Sequence, residues 1–342
     1  MSIKELQPEV DQLRGLLEQS QEVLILGHKD ADGDTLGCSL AFAEALERQG
    51  KQVYVLIPPP LPELYAWLPG FDRVIEAPPA GAEPNLVLFF DAGNMERTGS
   101  MAHHVAAHAT IVNLDHHASN SRFGDLNLID AEGVTREPAS AVGQMCLELF
   151  TEFGWPVTPE MATNLYVALM TDTGGFRHEN TTPRVLADAA QLAQLGADPG
   201  EIATMVYKSR PLTTLRLQAL SLAGMQVEAD GQLAWAKVSK RMLRDSGAVM
   251  AESEGIIDSL NSIVGLRAAI MFKEIGERLT KISVRTREDV DAAAICARFG
   301  GGGHHRAAGA EVELSMDEAV QAVRDAAMEA IADNARRRPK RK

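Results

Sequence analysis

The stretch VLILGHKDADGDTLG, residues 23–37, decides the fold. Four apolar residues (23–26) run without a break. Gly27, His28 and the aspartates 30, 32 and 34 follow, and then DTLGCSLAFAEALERQG (34–50). That last segment puts Leu36, Leu40, Ala43 and Leu46 on one helical face and stops at Gly50. A continuously apolar strand is one buried on both faces, as in a parallel sheet. Similar runs recur outward from it: VYVLI (53–57), RVIEA (73–77), LVLFF (86–90), TIVNL (110–114) and LNLID (126–130). They predict an α/β fold with a mostly parallel N-terminal sheet flanked by helices. From about 138 to 200 the pattern turns helical, in ASAVGQMCLELFTEF, PEMATNLYVALMTD and PRVLADAAQLAQLG.

After a helical connector at 201–217 the character changes. GMQVEADGQLAWAKVS reads as a hairpin about Asp230 and Gly231, since Asp-Gly is a strong turn dipeptide. RAAIMFKEIGERLTKISVRT (267–286) reads as a second hairpin about Gly276. A helix is expected over 289–298, then a glycine loop, then a last helix in MDEAVQAVRDAAMEAIADNA. The expected organisation is one domain over 1–200, the linker at 201–217, a smaller α/β domain over 218–330, and a disordered basic tail at 331–342.

Composition agrees with two folded domains. The chain has 342 residues, and domains run to ~100–200 residues each. Hydrophobic residues make up 45% and charged residues 23%, which argues against disorder. The apolar runs stop short of the ~18 residues a spanning helix needs, so no membrane is expected. MSIKELQPEVDQLRGLL lacks the apolar core of a secretory signal. Cys38, Cys146 and Cys296 form no zinc or redox spacing, and a reducing cytoplasm fits them. The charge is 33 basic against 47 acidic residues, net −14, and six of the basic ones lie in the terminal RRRPKRK. Neutralising duplex phosphates takes Lys and Arg, so this body is a poor general binder of nucleic acid. Any phosphate chemistry must be local.

Four segments carry clustered ligand side chains. His28, Asp32 and Asp34 follow the first strand, Asp91 follows LVLFF, Asp115, His116 and His117 follow TIVNL, and Asp172 ends a helix. In an open parallel sheet the carboxyl ends of strands converge on one crevice. Carboxylates crowded there repel one another, and a pair of divalent cations relieves that repulsion. Mixed carboxylate and imidazole ligation suits manganese, iron, zinc or cobalt. A bridging carboxylate holds such a pair roughly 3.5–4 Å apart. His103, His104 and His108, the last two at helical i, i+4 spacing, lack carboxylate neighbours and read as a solvated face. Further on, Gly300–Gly303 precede His304, His305 and Arg306. Glycines let backbone N–H groups approach a phosphate closely. Arg285 and Arg287 lie on one strand face by period two, and Arg suits bidentate phosphate contact.

GHKDADGDTLG, FFDAGNMER, LDHH and MTDTGGF resemble the four motifs of the DHH phosphoesterase superfamily. ISVRTR and GGGGHHRAAG resemble the hallmark of the DHH-associated C-terminal domain. The resemblance covers about 20–330, and among two-domain members it is nearest to the nanoRNase/pAp-phosphatase group. It implies a hydrolase acting on short oligonucleotides and on 3′-phosphoadenosine 5′-phosphate (pAp), with two divalent ions, manganese foremost, and an active site in the interdomain cleft. His28, Asp32 and Asp91 would ligate one ion; Asp34, Asp91, His116 and Asp172 would ligate the other, with Asp91 bridging. Asp30 stands where many relatives carry Asn and stays outside the ligand set. Asp115 would orient His116, and His117 would meet the scissile phosphate or leaving group. Arg285, Gly302, Gly303, His304 and His305 would bind the substrate's terminal phosphate. Asn120 and Arg122 would line the substrate side. Hydroxide from an acidified bridging water would attack the phosphorus. A homodimer is compatible with the sequence. The alternatives are another superfamily activity (a linear or cyclic dinucleotide phosphodiesterase, a single-strand exonuclease, a pyrophosphatase) or a silent nucleotide-binding regulator.

Overall fold

The computed structural model describes residues 6–131, 137–287, 290–303 and 305–337, and divides the chain between Ser209 and Arg210 into two compact units. The first unit runs α1 (Gln7–Gln19), β1 (Glu22–Leu26), α2 (Gly33–Arg48), β2 (Gln52–Leu56), β3 (Leu86–Phe90), β4 (Thr110–Asp115), β5 (Leu126–Ile129), α3 (Val142–Phe153), α4 (Pro159–Asp172), α5 (Pro183–Gln194) and α6 (Pro199–Tyr207). Its five strands are all parallel, in the order β2-β1-β3-β4-β5. The strand order therefore reverses between β1 and β3, the place where ligands bind in such sheets.

Three helix starts follow one rule of local chemistry. Thr158, Thr182 and Asp198 each cap a helix with a side-chain oxygen, and a proline follows each at the first helical position. α2 is buried nearly all round because it lies between the sheet and α4. Its close contact with α4 needs Gly37, where a Cβ would stand 2.3 Å from the Asn164 carbonyl oxygen. Helices cover one sheet face, through Val23, Ile25, Leu88 and Leu114. The opposite face, with Leu24, Leu56, Val87 and Phe89, is covered by Met95, Met101 and Val105, from a 3-10 segment and its flank.

Two sequence expectations fail here. RVIEA (73–77) is not a strand; Val74 makes a single bridge to Val55 after a 3-10 turn. Pro78 and Pro79 follow at once and cannot donate to a ladder. His104 and His108 share no helix face, because the 3-10 segment ends at Val105 in extended backbone.

The second unit runs α7 (Leu212–Ala223), β6 (Gln226–Glu228), β7 (Leu233–Val238), α8 (Lys240–Ser246), α9 (Ile256–Asn261), β8 (Ala268–Gly276), β9 (Leu279–Thr286), α10 (Ala292–Ala297), β10 (Gly302–Gly303), β11 (Ala307–Val312) and α11 (Met316–Arg337). Six strands form one sheet in the order β10-β11-β9-β8-β7-β6, antiparallel except for the β7–β8 pair. Both expected hairpins are present, as β6–β7 and β8–β9. One face packs Ile270, Phe272, Ile282 and Val284 against buried residues of α10 and α11. The other packs Ala234, Ala236 and Met271 against Leu217 of α7 and Leu260 of α9.

The 201–217 connector divides into α6 of the first unit and α7 of the second. The helix breaks at Arg210, which precedes Pro211. The expected tail is helical through Arg337, where Ala332, Ala335, Arg336 and Arg337 are good helix formers. Residues 338–342 lie outside the described residues, as do 288–289 at the start of the helix expected over 289–298.

Candidate active site

Every ligand side chain singled out in the first 172 residues stands at an element end near the carboxyl edge of the parallel sheet. His28 lies two residues past β1, Asp91 one residue past β3, and Asp115 closes β4 with His116 and His117 after it. Asp32 caps α2, accepting from the backbone N–H groups of Asp34 and Thr35. Asp34 lies in the first turn of α2, and Asp172 is the last residue of α4.

Asp91 is the hub. Its backbone is left-handed at φ 57°, a strained conformation for a residue with a side chain. One oxygen, Oδ2, lies 3.1 Å from His28 Nε2 and accepts a 2.8 Å hydrogen bond from Thr35 Oγ1. The other, Oδ1, lies 3.4 Å from His117 Nδ1 and 3.8 Å from His116 Nε2. His116 Nε2 is in turn 3.2 Å from Asp172 Oδ2, while its Nδ1 meets the Ala139 carbonyl at 3.2 Å. Asp34 is fully buried. Val142 N and Gly143 N, at the start of α3, donate to it at 2.7 and 2.9 Å, and the Cys38 thiol donates at 3.1 Å. It thereby caps a helix whose own N-cap, Ala141, has no polar side chain.

The charges are unbalanced. Burial, and then the nearby Asp91 charge, push the Asp34 carboxyl up to about 7. Burial likewise holds Asp172 well above the carboxylate range, with Asp34 and Asp32 adding to it against the opposing pull of His116. Burial works against a proton on His116, but Asp172, Asp34 and Asp91 outweigh it and raise that imidazole to about 9. Burial would raise Asp91 too, yet its hydrogen bond with His28 and the three surrounding imidazoles hold it well below the usual range. Protons are here doing what a cation would do.

Two ligand triads emerge. In each, one ligand atom per residue falls within 4.8 Å of the others: His28, Asp32 and Asp91, and Asp34, His116 and Asp172. The buried atoms Asp91 Oδ1 and His116 Nε2 have no hydrogen-bond partner among the described residues, and both lie where an ion would use them. The residues fit a pair of divalent ions with mixed oxygen and nitrogen ligands. A third grouping, Asp91, Asp115, His116 and His117, meets the same distance test. There, however, Asp115 Oδ1 already receives His116 N at 2.8 Å and His117 Nδ1 at 2.6 Å, and Oδ2 receives Asn120 Nδ2 at 2.5 Å.

The second-domain candidates lie on and beside one sheet. Arg285 of β9 stands half-buried between Ala269 and Ala307 on the neighbouring strands. Arg287 lies just past β9, exposed, and donates to the Asn261 carbonyl. Gly302 and Gly303 form an exposed edge strand against Gly309 and Ala308, Gly303 with φ 140°. The His305 carbonyl accepts from Ala292 N and Thr286 Oγ1. His304 lies outside the described residues. Arg122 is exposed with φ 53°. His103 and His104 stack at 3.8 Å between ring centroids. His108 lines an open cavity of about 600 Å³ with Met95, Ile111 and Asp125, and no candidate ligand cluster falls there among the described residues.

The sequence set Asp115 against the His116 ring, but that ring meets the Ala139 carbonyl, and Asp115 takes the His117 ring and the His116 backbone N–H. Sequence reasoning also missed Thr35, Cys38 and the Ala139 carbonyl as neighbours of the candidate ligands. Thr35 and Cys38 follow Asp34 by one and four residues, and that spacing was their one available signal. A backbone carbonyl leaves none.

Comparison with known proteins places the chain in a family. Residues 22–169 match the DHH family N-terminal domain and residues 230–333 match the DHHA1 domain. A bifunctional oligoribonuclease and PAP phosphatase NrnA of Thermus thermophilus is 31% identical over 313 residues, 90% of each chain. The chain belongs to the DHH family of phosphoesterases. It is a phosphoester hydrolase of that family. The Bacillus subtilis protein of the same description is 27% identical over 307 residues, covering 89% of this chain and 93% of its own. An exopolyphosphatase-related protein of Bacteroides fragilis superposes with a TM-score of 0.86 at 25% identity, covering 94% of this chain and 96% of its own. No helix among the described residues is long and apolar enough to cross a membrane.

Proposed function

We propose that this DHH-family member hydrolyses short oligonucleotides and pAp with two divalent ions, manganese foremost. His28, Asp32 and Asp91 hold one ion; Asp34, Asp91, His116 and Asp172 hold the other. The observation that carries the reading is the pair of ligand triads, with Asp91 of the first turning toward His116 of the second an oxygen, Oδ1, that is buried and lacks a hydrogen-bond partner among the described residues. The oligoribonuclease and PAP phosphatase descriptions of two relatives, each spanning about nine-tenths of the chain, support the substrate class.

Bound there, the ions supply charge neutralisation at the phosphoryl oxygens and an acidified water. The remaining work falls to the chain. His117, its Nδ1 held by Asp115, acts through Nε2 on a phosphoryl or leaving oxygen. Arg285, with Gly302, Gly303, His304 and His305, holds the terminal phosphate, and Arg122 lies on the substrate side. A grip of so few groups suits short substrates. Three buried cysteines with no disulfide fit a cytoplasmic place of action.

The test is a manganese-supplemented panel of pAp, a 5′-phosphorylated dinucleotide, a 24-mer single strand and pyrophosphate, with Asp91→Ala as control. The expected result is fast release from pAp and the dinucleotide, slow action on the 24-mer, and loss of both activities in Asp91→Ala. Preference for the 24-mer rejects the short-substrate reading, and cleavage of pyrophosphate alone rejects the nucleotide.

A further inference from the structure

Asn120 sits five residues past Asp115, in a position the sequence reads as substrate-lining. Its side chain is otherwise engaged. Nδ2 donates to Asp115 Oδ2 at 2.5 Å and to the Ala92 carbonyl at 3.1 Å. Oδ1 accepts from Asn113 Nδ2 at 3.2 Å and from Arg122 N at 2.6 Å. Two acceptors face one end of the amide and two donors face the other, so its orientation is fixed by its partners. Asn113 and Asp115 lie two apart on β4 and are both fully buried. Ala92 follows the hub Asp91. The amide thus ties the end of β3 to the end of β4, and Ser121 N donating to the Gly93 carbonyl at 2.8 Å repeats the tie one residue on.

Asp115 is the link to chemistry. With Oδ2 held by Asn120, Oδ1 faces His116 N and His117 Nδ1. A carboxylate on Nδ1 sets the ring's tautomer and direction. We propose that Asn120 is a positioning residue: it fixes the Asp115 carboxylate, which fixes the ring of His117, and it does not line the substrate. This deepens the hydrolase reading and rests on it for the activity measurements alone.

The test uses the full chain. Asn120→Ala is expected to lower kcat on a 5′-phosphorylated dinucleotide about 10–100-fold, the usual size for a group orienting an active-site histidine. KM and manganese affinity are expected to stay within about twofold of the parent, since no ligand triad contains Asn120. In a His117→Ala background, Asn120→Ala is expected to change kcat no further. Side-chain ¹⁵N spectra of the metal-free protein are expected to show His117 protonated at Nδ1, and Asn120→Ala to shift it toward the other tautomer. Asn120→Asp keeps the shape and sets a carboxylate against Asp115; it decides the matter if the alanine variant does not fold. A rise in KM at unchanged kcat restores the substrate-lining role and overturns the proposal. So does an equal kcat loss with and without His117, or an unmoved tautomer. A parent protein inactive on every substrate instead sinks the hydrolase reading, and the spectra still decide this one.

Discussion

If Asp34 and His116 ligate ions as proposed, binding must displace the protons that their surroundings favour on them. Asp34 titrates at about 7 instead of 3.8, and His116 at about 9 instead of 6.5. Both folded-state values are raised, so both groups favour the metal-free fold at low pH. The Asp34 contribution is full below its unfolded value and fades as pH rises through about 7; that of His116 is full below 6.5 and fades through about 9. Metal binding has the opposite slope, because each ligand must be deprotonated. Manganese affinity is therefore expected to tighten steadily between pH 6 and 8.5, with net proton release. The rise in Tm on adding manganese should widen over the same range. Calorimetric titration in two buffers of different ionisation enthalpy measures the released protons. An affinity that is flat across this range means these two groups are not the ligands. The residues proposed as ligands stood out in the sequence because each directly follows an apolar run or flanks a helix. The inward aim of Asn120 was not legible, since an asparagine past a strand reads equally well as surface.

At the scale of elements, α2 is the piece on which the ligands depend. It carries Asp32 and Asp34 at its start and is wedged between sheet and α4. Gly37→Ala would set a Cβ 2.3 Å from the Asn164 carbonyl oxygen, a backbone atom that cannot swing aside. Overpacking of this kind costs about 1–3 kcal/mol. Gly15 of α1 is the contrast: a Cβ there would meet nothing within 4 Å, so Gly15→Ala should add about 0.5–1 kcal/mol of helix stability. Urea unfolding of both variants checks the pair, and equal effects of one sign would show that the α2–α4 contact is not tight. Strands β1 to β3 were readable because unbroken apolar runs mark doubly buried strands, and β4 and β5 because their runs are interrupted only by Asn113 and Asn127. RVIEA misled because its apolar pair, Val74 and Ile75, is only half-buried and prolines follow. α11 ends two residues past the helix expected over MDEAVQAVRDAAMEAIADNA and takes in the start of the expected tail, held at Ile331, whose carbonyl accepts from Arg267.

At the scale of the molecule, an acidic chain handles an acidic substrate. The net charge is −14, and without the terminal RRRPKRK it is −20. A protein that tracks a strand neutralises many phosphates and releases their counterions, losing affinity with salt at about 0.7 per phosphate contact in log–log slope. Here the cationic side chain proposed for the grip is Arg285 with few companions, and the rest of the surface repels a polyanion. The slope of log kcat/KM against log salt is therefore expected to stay shallow, no steeper than about −1.4 for a dinucleotide, the equivalent of two phosphates. For the 24-mer it should be no steeper still, because phosphates beyond the site meet acidic surface and added salt relieves that repulsion. Initial rates over a potassium chloride series at fixed manganese give both slopes. A slope that steepens with strand length would mean that an extended basic track, such as the terminal arginines and lysines, engages the substrate, and the short local grip would then be the wrong description of how this chain binds.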